Sequence, residues 1–324
     1  MNELELPSDL GDALRESWQR YLDLLNPIRP GLYRYCRRLT GSVWDAEDLV
    51  QETLVRAFAT LAKAHPGVEH PRAYLLRTAT NAWIDTLRRR AGESLSPAEP
   101  VAAAGAPDPG ALRDAGAALM QRLSPQERAA IVLKEVFEVS LEEAADVLQT
   151  TPGAVKSALH RARGRLREPA AAALHRAPSE ALVDRFVAAF NAADLPGLTA
   201  LLLDGASIEQ LGCAWSTGRK ALEEGFLTKA VYGHPEWPAV FQYESSRLER
   251  ALHRGEPIAL GLVVRRGREA LEQVMRFEEE GGSVACIRTY AFCPEAMREI
   301  GEALGLRVRT GLYRYPTPAP GKTY

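Results

Sequence analysis

The stretch from Ser140 to Glu168 constrains the fold most, because it carries two short helical patterns separated by a turn. Ser140 can cap the first helix, and Glu143, three residues later, completes a capping box. The Thr-Thr-Pro-Gly sequence at 150–153 ends this pattern, since proline is disfavoured inside helices and glycine tolerates unusual backbone angles. Small residues at such a turn let two helices cross closely, as in a helix-turn-helix whose second helix enters the DNA major groove.

The second helix of this pair has an apolar side and a basic side. The apolar residues recur at helical spacing: Val155, Ala158, Leu159, Ala162 and Leu166. The polar side carries the residues that we expect to face DNA: Lys156, Ser157, His160, Arg161 and Arg163. A solvated basic helix on a helical bundle is the alternative. The capping box, the turn and the one-sided charge together favour DNA binding.

Composition sets limits on the function. The 324 residues leave room for two or three domains, and 46% hydrophobic with 25% charged residues is ordinary for a soluble protein. The net charge is only −2, so a nucleic-acid surface must be local. Since there is no membrane-length apolar run and no signal-peptide pattern, we expect a cytoplasmic protein without membrane contact. The four cysteines lack a CxxC pair, so we expect reduced thiols, and neither a metal nor another cofactor.

The N-terminal part predicts three helices before a loop. Residues 12–40 form two apolar stripes, interrupted by Pro27 and Pro30, and residues 45–62 form a third, with Asp45 as its N-cap. The outward side of the third helix is acidic and amide-bearing: Glu47, Asp48, Gln51 and Glu52. Periodicity alone favours an ordinary solvated surface there.

A fourth helix, predicted to start at Pro71 after a loop over 63–70, has a strongly basic polar side. Its candidate binding residues are Arg72, Arg77, Asn81, Arg88, Arg89 and Arg90. Arginines near aromatic residues could grip single-stranded nucleic acid, in which stacking contributes about 1–3 kcal/mol per base. Trp83 falls on the apolar stripe, so we assign it to the core.

Residues 91–112 are rich in Ala, Pro and Gly and predict a flexible or extended linker to a second helical unit. That unit opens with a capping box from Ser124 to Glu127. Its predicted core is Ala130, Ile131, Leu133, Val136 and Phe137.

Four segments in this order resemble the extracytoplasmic-function (ECF) sigma factors, over roughly residues 12–168. They are DAEDLVQET, PRAYLLRTATNAWIDTLRRR, LSPQERAAIVLKEVFEVSLEEAADVL and GAVKSALHRARGRL. The resemblance implies a multidomain fold that begins with two all-α sigma domains: region 2 at 1–90, a linker at 91–112, and region 4 with its helix-turn-helix at 113–168. It also implies a factor that is not an enzyme and that directs core RNA polymerase to promoters.

The resemblance assigns a role to each polar surface. Core RNA polymerase would bind the acidic helix through Asp45, Asp48, Gln51 and Glu52. The melted −10 strand would bind through Arg72, Arg77, Asn81, Arg88, Arg89 and Arg90. The double-stranded −35 element would bind through Lys156, Ser157, His160, Arg161 and Arg163.

The C-terminal half predicts a separate α+β domain at 179–292, after a bridge at 169–178. Two helices, the second over Leu195 to Leu203, precede strand-like runs at 206–211, 257–264, 270–278 and 283–292, with Gly281-Gly282 as a hairpin turn. The FVAAFNAADLPGLTALL opening and Gly218, Arg219, Lys220 and Leu222 resemble the SnoaL-like family, whose nuclear transport factor 2-like fold is a cone-shaped barrel.

This second resemblance implies that the domain modulates the sigma half in cis, and that its pocket could hold an unidentified small ligand. Acid–base candidates for an enzyme are Asp204, His234, Glu236 and His253, but no spacing fixes their geometry. Two alternatives therefore stay open: a ligand-responsive helix-turn-helix regulator that acts without polymerase, and a SnoaL-like enzyme fused to a DNA-binding module. Residues 293–324 predict a helix and a tail of arginines and tyrosines, which we expect to dock on the sigma half. Nucleic-acid binding by this tail and a disordered tail are the alternatives.

Overall fold

The structure is a computed structural model that describes residues 8–62, 70–93, 123–165, 177–212, 214–228 and 244–310. The chain divides into two compact units, Met1–Leu174 and His175–Tyr324. Residues 63–69 of the predicted loop, 94–112 of the predicted linker, 169–176 of the predicted bridge and the tail from residue 311 lie outside the described residues. The linker does not begin at residue 91, because the preceding helix continues to Glu93.

The described part of the first unit is helical. Four helices come before the linker: α1 (Ser8–Leu25), α2 (Arg29–Thr40), α3 (Val43–Ala62) and α4 (Pro71–Glu93). After it come α5 (Pro125–Ile131), a π-helical turn (Val132–Val136), α6 (Leu141–Val147) and α7 (Pro152–Arg165). Tyr35 is fully buried in this core, and its hydroxyl lies 2.7 Å from the Thr80 hydroxyl. Trp83 is buried as predicted.

Both predicted capping boxes are confirmed, at Ser124 with Glu127 and at Ser140 with Glu143. The predicted N-cap at Asp45 is wrong, because α3 begins at Val43 and the Asp45 backbone N–H donates to the Ser42 hydroxyl at 3.3 Å. A serine hydroxyl serves an early helical N–H as well as a carboxylate does, so the helix starts one residue after Ser42.

Two burial predictions are also wrong. Glu47 does not face solvent: it is 0% exposed and accepts a 2.5 Å hydrogen bond from Arg29. Val136 is not a core residue, since it is 40% exposed. The π-helical turn explains this, because its wider spacing rotates later residues away from the side that a regular helix would bury.

The second unit begins with two helices and continues as a six-stranded sheet. A short helix and a π-helical segment (Leu222–Leu227) follow the second strand, and one more helix follows the last strand. Its elements are α8 (Glu180–Asn191), α9 (Leu195–Ala200), β1 (Leu202–Gln210), β2 (Ala214–Thr217), α10 (Arg219–Ala221), β3 (Ser245–His253), β4 (Glu256–Arg265), β5 (Arg268–Glu280), β6 (Ser283–Thr289) and α11 (Pro294–Leu304). The sheet order is β2-β1-β6-β5-β4-β3, and only β1 and β6 pair in parallel. The α+β prediction is confirmed, although strands β2 and β3 were not predicted. The second helix ends at Ala200, not Leu203, because Leu202 already belongs to β1.

The edge strand β3 is held by a side chain from α8. The Asn191 amide donates to the Leu248 carbonyl and accepts from the Leu248 N–H, both at 2.8 Å. Such pairing satisfies backbone groups that an edge strand would otherwise expose. The predicted Gly281-Gly282 turn is confirmed, with positive φ at both residues, as a type I′ hairpin requires.

Among the described helices, none combines the length and the apolar character needed to cross a membrane. The described residues also contain no group of three or more His, Cys, Asp or Glu placed to hold a metal ion.

Candidate nucleic-acid interface

Helix α7 presents the five predicted −35 residues on its exposed side. Lys156, Ser157 and His160 are exposed, and so are Arg161 and Arg163. The opposite side of α7 is buried through Val155, Ala158, Leu159 and Ala162. This division follows from the helical period, since residues at i, i+3, i+4 and i+7 share one side. The whole polar surface is therefore available to a major groove.

Two of these arginines are already in ion pairs within the same domain. The Arg161 Nε lies 3.0 Å from Oε1 of Glu127, whose carboxylate also closes the α5 capping box. The Arg163 guanidinium lies 2.5 Å from Glu135. These ion pairs restrain the positions of the two guanidinium groups. Among the described residues Lys156 and His160 are in no ion pair.

Helix α4 does not present its predicted −10 residues as one continuous surface. Arg77, Asn81 and Arg88 recur at i, i+4 and i+11 and so share one side, whereas Arg72 lies roughly 140° around the helix from Arg77. Asn81, Arg88 and Arg89 are exposed. The Arg90 side chain lies outside the described residues.

The N-terminal half of α4 contacts region 4. The Arg77 guanidinium lies 2.8 Å from Asp146 of α6, and the Arg72 guanidinium lies 5.8 Å from the centre of the Phe137 ring. Phe137 directly follows the π-helical turn. The sequence patterns did not predict these contacts, because the paired residues are 69 and 65 positions apart.

The acidic side of α3 places Asp45, Asp48, Gln51 and Glu52 at i, i+3, i+6 and i+7, all partly exposed. The Gln51 amide donates to the buried Glu47 carboxylate at 2.8 Å. The Glu52 carboxylate lies 2.6 Å from Arg56, which also approaches Asp85 at 3.4 Å. The four side chains do come together on one surface.

One apolar residue on this surface was missed. Val55 lies four residues after Gln51 and is 55% exposed. Its signal in the sequence is that it falls off the apolar stripe of α3, three residues after Glu52 and four after Gln51. Exposed aliphatic residues surrounded by polar groups are common in interface centres.

The two acid–base candidates of the C-terminal half that the structure describes, Asp204 and His253, lie far apart on the sheet. Asp204 is exposed on β1 and pairs with Arg219 at 3.1 Å, whereas His253 is buried at the end of β3. Four strand spacings separate β1 from β3, which is about 19 Å along the sheet. His234 and Glu236 lie outside the described residues.

Two sequence families match the first unit, and a known protein matches more of the chain. The Sigma-70 region 2 family matches residues 24–93, and the Sigma-70 region 4 family matches residues 117–166. ECF RNA polymerase sigma factor SigG of Mycobacterium tuberculosis is 32% identical over 272 residues, which cover 72% of this chain and 70% of SigG. The chain belongs to the ECF RNA polymerase sigma factors. As a sigma factor it directs RNA polymerase in transcription initiation, and proteins of this kind are not catalysts themselves.

Two solved structures are also similar to this ECF sigma factor. One is the ECF sigma factor SigJ of Mycobacterium tuberculosis, at 24% identity over 83% of this chain and 95% of that one, with a TM-score of 0.33. The other is an NTF-2-like protein of unknown function from Burkholderia xenovorans, at 17% identity over 44% of this chain and 86% of that one, with a TM-score of 0.26. No functional conclusion follows from TM-scores this low. The helix-then-sheet order of the second unit agrees with the SnoaL-like fold expected from the sequence.

Proposed function

We propose that this sigma factor binds the −35 element through α7, the melted −10 strand through α4, and core RNA polymerase through the acidic side of α3. The observation that carries the proposal is α7, whose apolar side is fully buried while Lys156, Ser157 and His160 stand exposed beside two positioned arginines. Base contacts by such residues discriminate by about 1–3 kcal/mol each, and arginine–phosphate contacts set the position of the helix.

The α4 surface supports a single-strand contact for a different reason. Asn81, Arg88 and Arg89 are exposed along two turns of one helix, so they can follow a backbone of phosphates. Trp83 is buried and packs in the core, so it is not part of this surface. Arg72 and Arg77 can bind the single strand only when their contacts with region 4 are broken.

On α3, Val55 would lie at the C-terminal end of the polymerase surface, next to Gln51 and Glu52. An apolar contact there contributes affinity, while the carboxylates of this surface favour a basic partner and set the orientation. Core polymerase would be that partner. We therefore expect the chain to act in the cytoplasm, where the polymerase works.

Reconstituted transcription tests this proposal. Core polymerase with the full chain should start transcription at specific promoters selected from a genomic fragment library, and core polymerase alone should not. If no fragment supports initiation, the proposed function is wrong. Duplex binding by the chain without polymerase, at a defined operator, would favour a repressor-type regulator instead.

Charge reversal tests the polymerase surface separately. Glu52→Lys, alone or with Asp48→Lys, should weaken binding to core polymerase, by about tenfold or more for the pair, because like charges would meet across the interface. Glu16→Lys is a matched control, since Glu16 and Glu52 each pair with an arginine four residues later at 2.6 Å. Equal effects of Glu16→Lys and Glu52→Lys in a fluorescence anisotropy titration would contradict this assignment.

We further propose that the SnoaL-like unit modulates promoter use in cis. The support is its own core, in which α8 packs on the sheet with Phe186 and Phe277 4.9 Å apart. A pocket on this fold could hold a small ligand. Removal of the unit from the chain tests this regulatory role.

A further inference from the structure

Two arginines lie at opposite edges of the exposed side of α7. Successive helical residues are about 100° apart, which places Ser157 and His160 near the middle of that side, opposite the buried stripe. On the same projection Arg161 and Arg163 are roughly 160° apart. When such a helix enters a major groove, its middle meets the base edges and its two edges meet the bordering phosphate backbones. We therefore expect the two arginines to meet phosphates on opposite strands.

A buried carboxylate holds one of these arginines. Glu127 of α5 is 2% exposed, and its Oε1 accepts a hydrogen bond from the Arg161 Nε at 3.0 Å. Its Oε2 accepts from the Ser124 N–H at 3.0 Å, and the Ser124 hydroxyl accepts from the Glu127 N–H at 3.3 Å. The capping box thus fixes the carboxylate, and the fixed carboxylate sets the direction of the arginine.

The hydrogen bond to Glu127 leaves the far end of Arg161 available for DNA. It uses Nε, whereas Nη1 and Nη2 form the fork at the exposed end of the side chain. This fork matches two oxygens of one phosphate. Ordering a long side chain before it binds removes an entropic cost from the binding step. Arg161 is therefore preorganised as a phosphate ligand.

Arg163 provides a comparison on the same helix. Its partner is Glu135 in the π-helical turn, and the two side chains are 59% and 47% exposed. Exposed ion pairs are weakened by water and by side-chain entropy, so this pair restrains its arginine only slightly. Water has little access to the Glu127 carboxylate, so Arg161 is the better restrained of the two.

We propose that Glu127 is a positioning residue for −35 recognition, which holds Arg161 so that its guanidinium meets one phosphate at a fixed place. Phosphate contacts of this kind set the register of a recognition helix, and the base contacts then read the sequence. Glu127 acts through Arg161 and does not touch DNA. The proposal rests on the proposed function, because it takes α7 to bind the −35 element.

Replacing Glu127 should change specific and non-specific binding in opposite directions. Glu127→Gln keeps the capping box, since glutamine also serves at this position, but it removes the charge that holds Arg161. At the −35 element Arg161 must then be ordered during binding, so affinity should fall by about two- to tenfold. Affinity for unrelated duplex should stay equal or rise, because the protein has lost one negative charge. Damage to the fold would weaken both, and a pure charge effect would strengthen both.

Transcription by core polymerase with the full chain measures this discrimination. A promoter that the chain selects is compared with the same promoter carrying an unrelated −35 sequence, and Glu127→Gln should lower the ratio of the two by about two- to tenfold. Glu143→Gln is the matched control, because Glu143 closes the second capping box and, among the described residues, is in no ion pair. It should leave the ratio unchanged.

Two further variants test whether Glu127 acts through Arg161. In an Arg161→Ala background, Glu127→Gln should lower the ratio no further, since the side chain that it positions is gone. Arg161→Lys preserves the net charge and leaves the capping box intact, but it lacks the fork, so it should lose discrimination as Glu127→Gln does.

Three results would overturn the positioning role of Glu127. These are an unchanged ratio in Glu127→Gln or Arg161→Lys, equal losses in Glu127→Gln and Glu143→Gln, and additive losses in Glu127→Gln and Arg161→Ala. Failure of the proposed function would look different, because the wild-type chain would then start transcription at no promoter. A wild type that discriminates and a Glu127→Gln variant that discriminates equally well would remove the positioning role alone.

Discussion

At the scale of single residues, a buried ion pair orients one of the proposed polymerase contacts. Arg29 of α2 donates to Glu47 of α3 at 2.5 Å, and the same Glu47 oxygen accepts from the Gln51 amide. Glu47 is completely buried, so its charge must be compensated inside the protein. The arginine therefore acts on the α3 surface indirectly, through the carboxylate that holds Gln51.

This arrangement predicts a difference between single and double variants. Glu47→Leu should lower the free energy of unfolding by about 3–5 kcal/mol, because the buried guanidinium of Arg29 loses the carboxylate that lies 2.5 Å from it. Arg29→Met together with Glu47→Leu should recover most of that loss, since an apolar pair needs no desolvation. Hydrogen exchange of the α2 and α3 amides under increasing urea measures the free energy of unfolding of both variants. If the double variant is as unstable as Glu47→Leu, then lost packing, and not the buried charge, accounts for most of the loss in free energy of unfolding.

At the scale of elements, the first helix of the helix-turn-helix depends on its capping box. The Glu143 carboxylate accepts from the Ser140 N–H at 2.8 Å, and the Ser140 hydroxyl accepts from the Glu143 N–H at 3.0 Å. These hydrogen bonds lower the pKa of Glu143 from its ordinary 4.5, with smaller contributions from Arg72 and Lys134. They stabilise the ionised form, which is the form that caps.

The capping box should stabilise the folded state at neutral pH and lose this effect in acid. A carboxylate whose pKa is lower in the folded state stabilises that state at neutral pH, and the contribution is lost as the pH falls below 4.5 through the folded pKa. NMR titration of the Glu143 carboxyl carbon should show the lowered pKa in the wild type and a value closer to ordinary in Ser140→Ala. If the two titration curves coincide, the capping box does not cause the lowered pKa of Glu143.

Short-range sequence patterns predict most of the helices and strands. Capping boxes, apolar stripes and the Gly-Gly hairpin are encoded within a few residues, so Ser140, Val155 and Gly281 could be placed from the sequence. The missed features depend on distant partners. Strand β3 carries charged residues suited to an edge, and only its pairing with β4 and Asn191 defines it.

In the candidate site too, contacts between residues that are distant in sequence could not be predicted from local patterns. Periodicity gave the correct exposed side of α7, but Glu47 was assigned to solvent because nothing near it in sequence reveals Arg29 as its partner. Phe137 was assigned to the core of region 4, whereas a π-helical turn directs it toward Tyr35 of region 2. Such turns have no reliable local signal, so the contacts of Phe137 with Tyr35 and Arg72 could not be predicted.

At the scale of the whole molecule, two units with separate cores occupy one chain. The first has Leu32, Tyr35 and Leu54 fully buried, and the second has Phe186 and Phe277. A chain cut after Leu174 therefore keeps every described core residue of the sigma half. We expect residues 1–174 to fold alone, with a thermal midpoint within a few degrees of that unit in the full chain.

Because the truncated chain should remain folded, its activity reports on regulation. If the SnoaL-like unit acts in cis, promoter-dependent transcription by residues 1–174 should differ from the full chain by about fivefold or more, the lower end of typical coupling between sites. Adding residues 175–324 at micromolar concentration should not restore the original level, since a short tether gives an effective concentration near the millimolar range. Equal transcription by both chains would remove the regulatory role. Full restoration in trans would show that the tether itself is unnecessary, and that the unit binds the sigma half as a separate partner does.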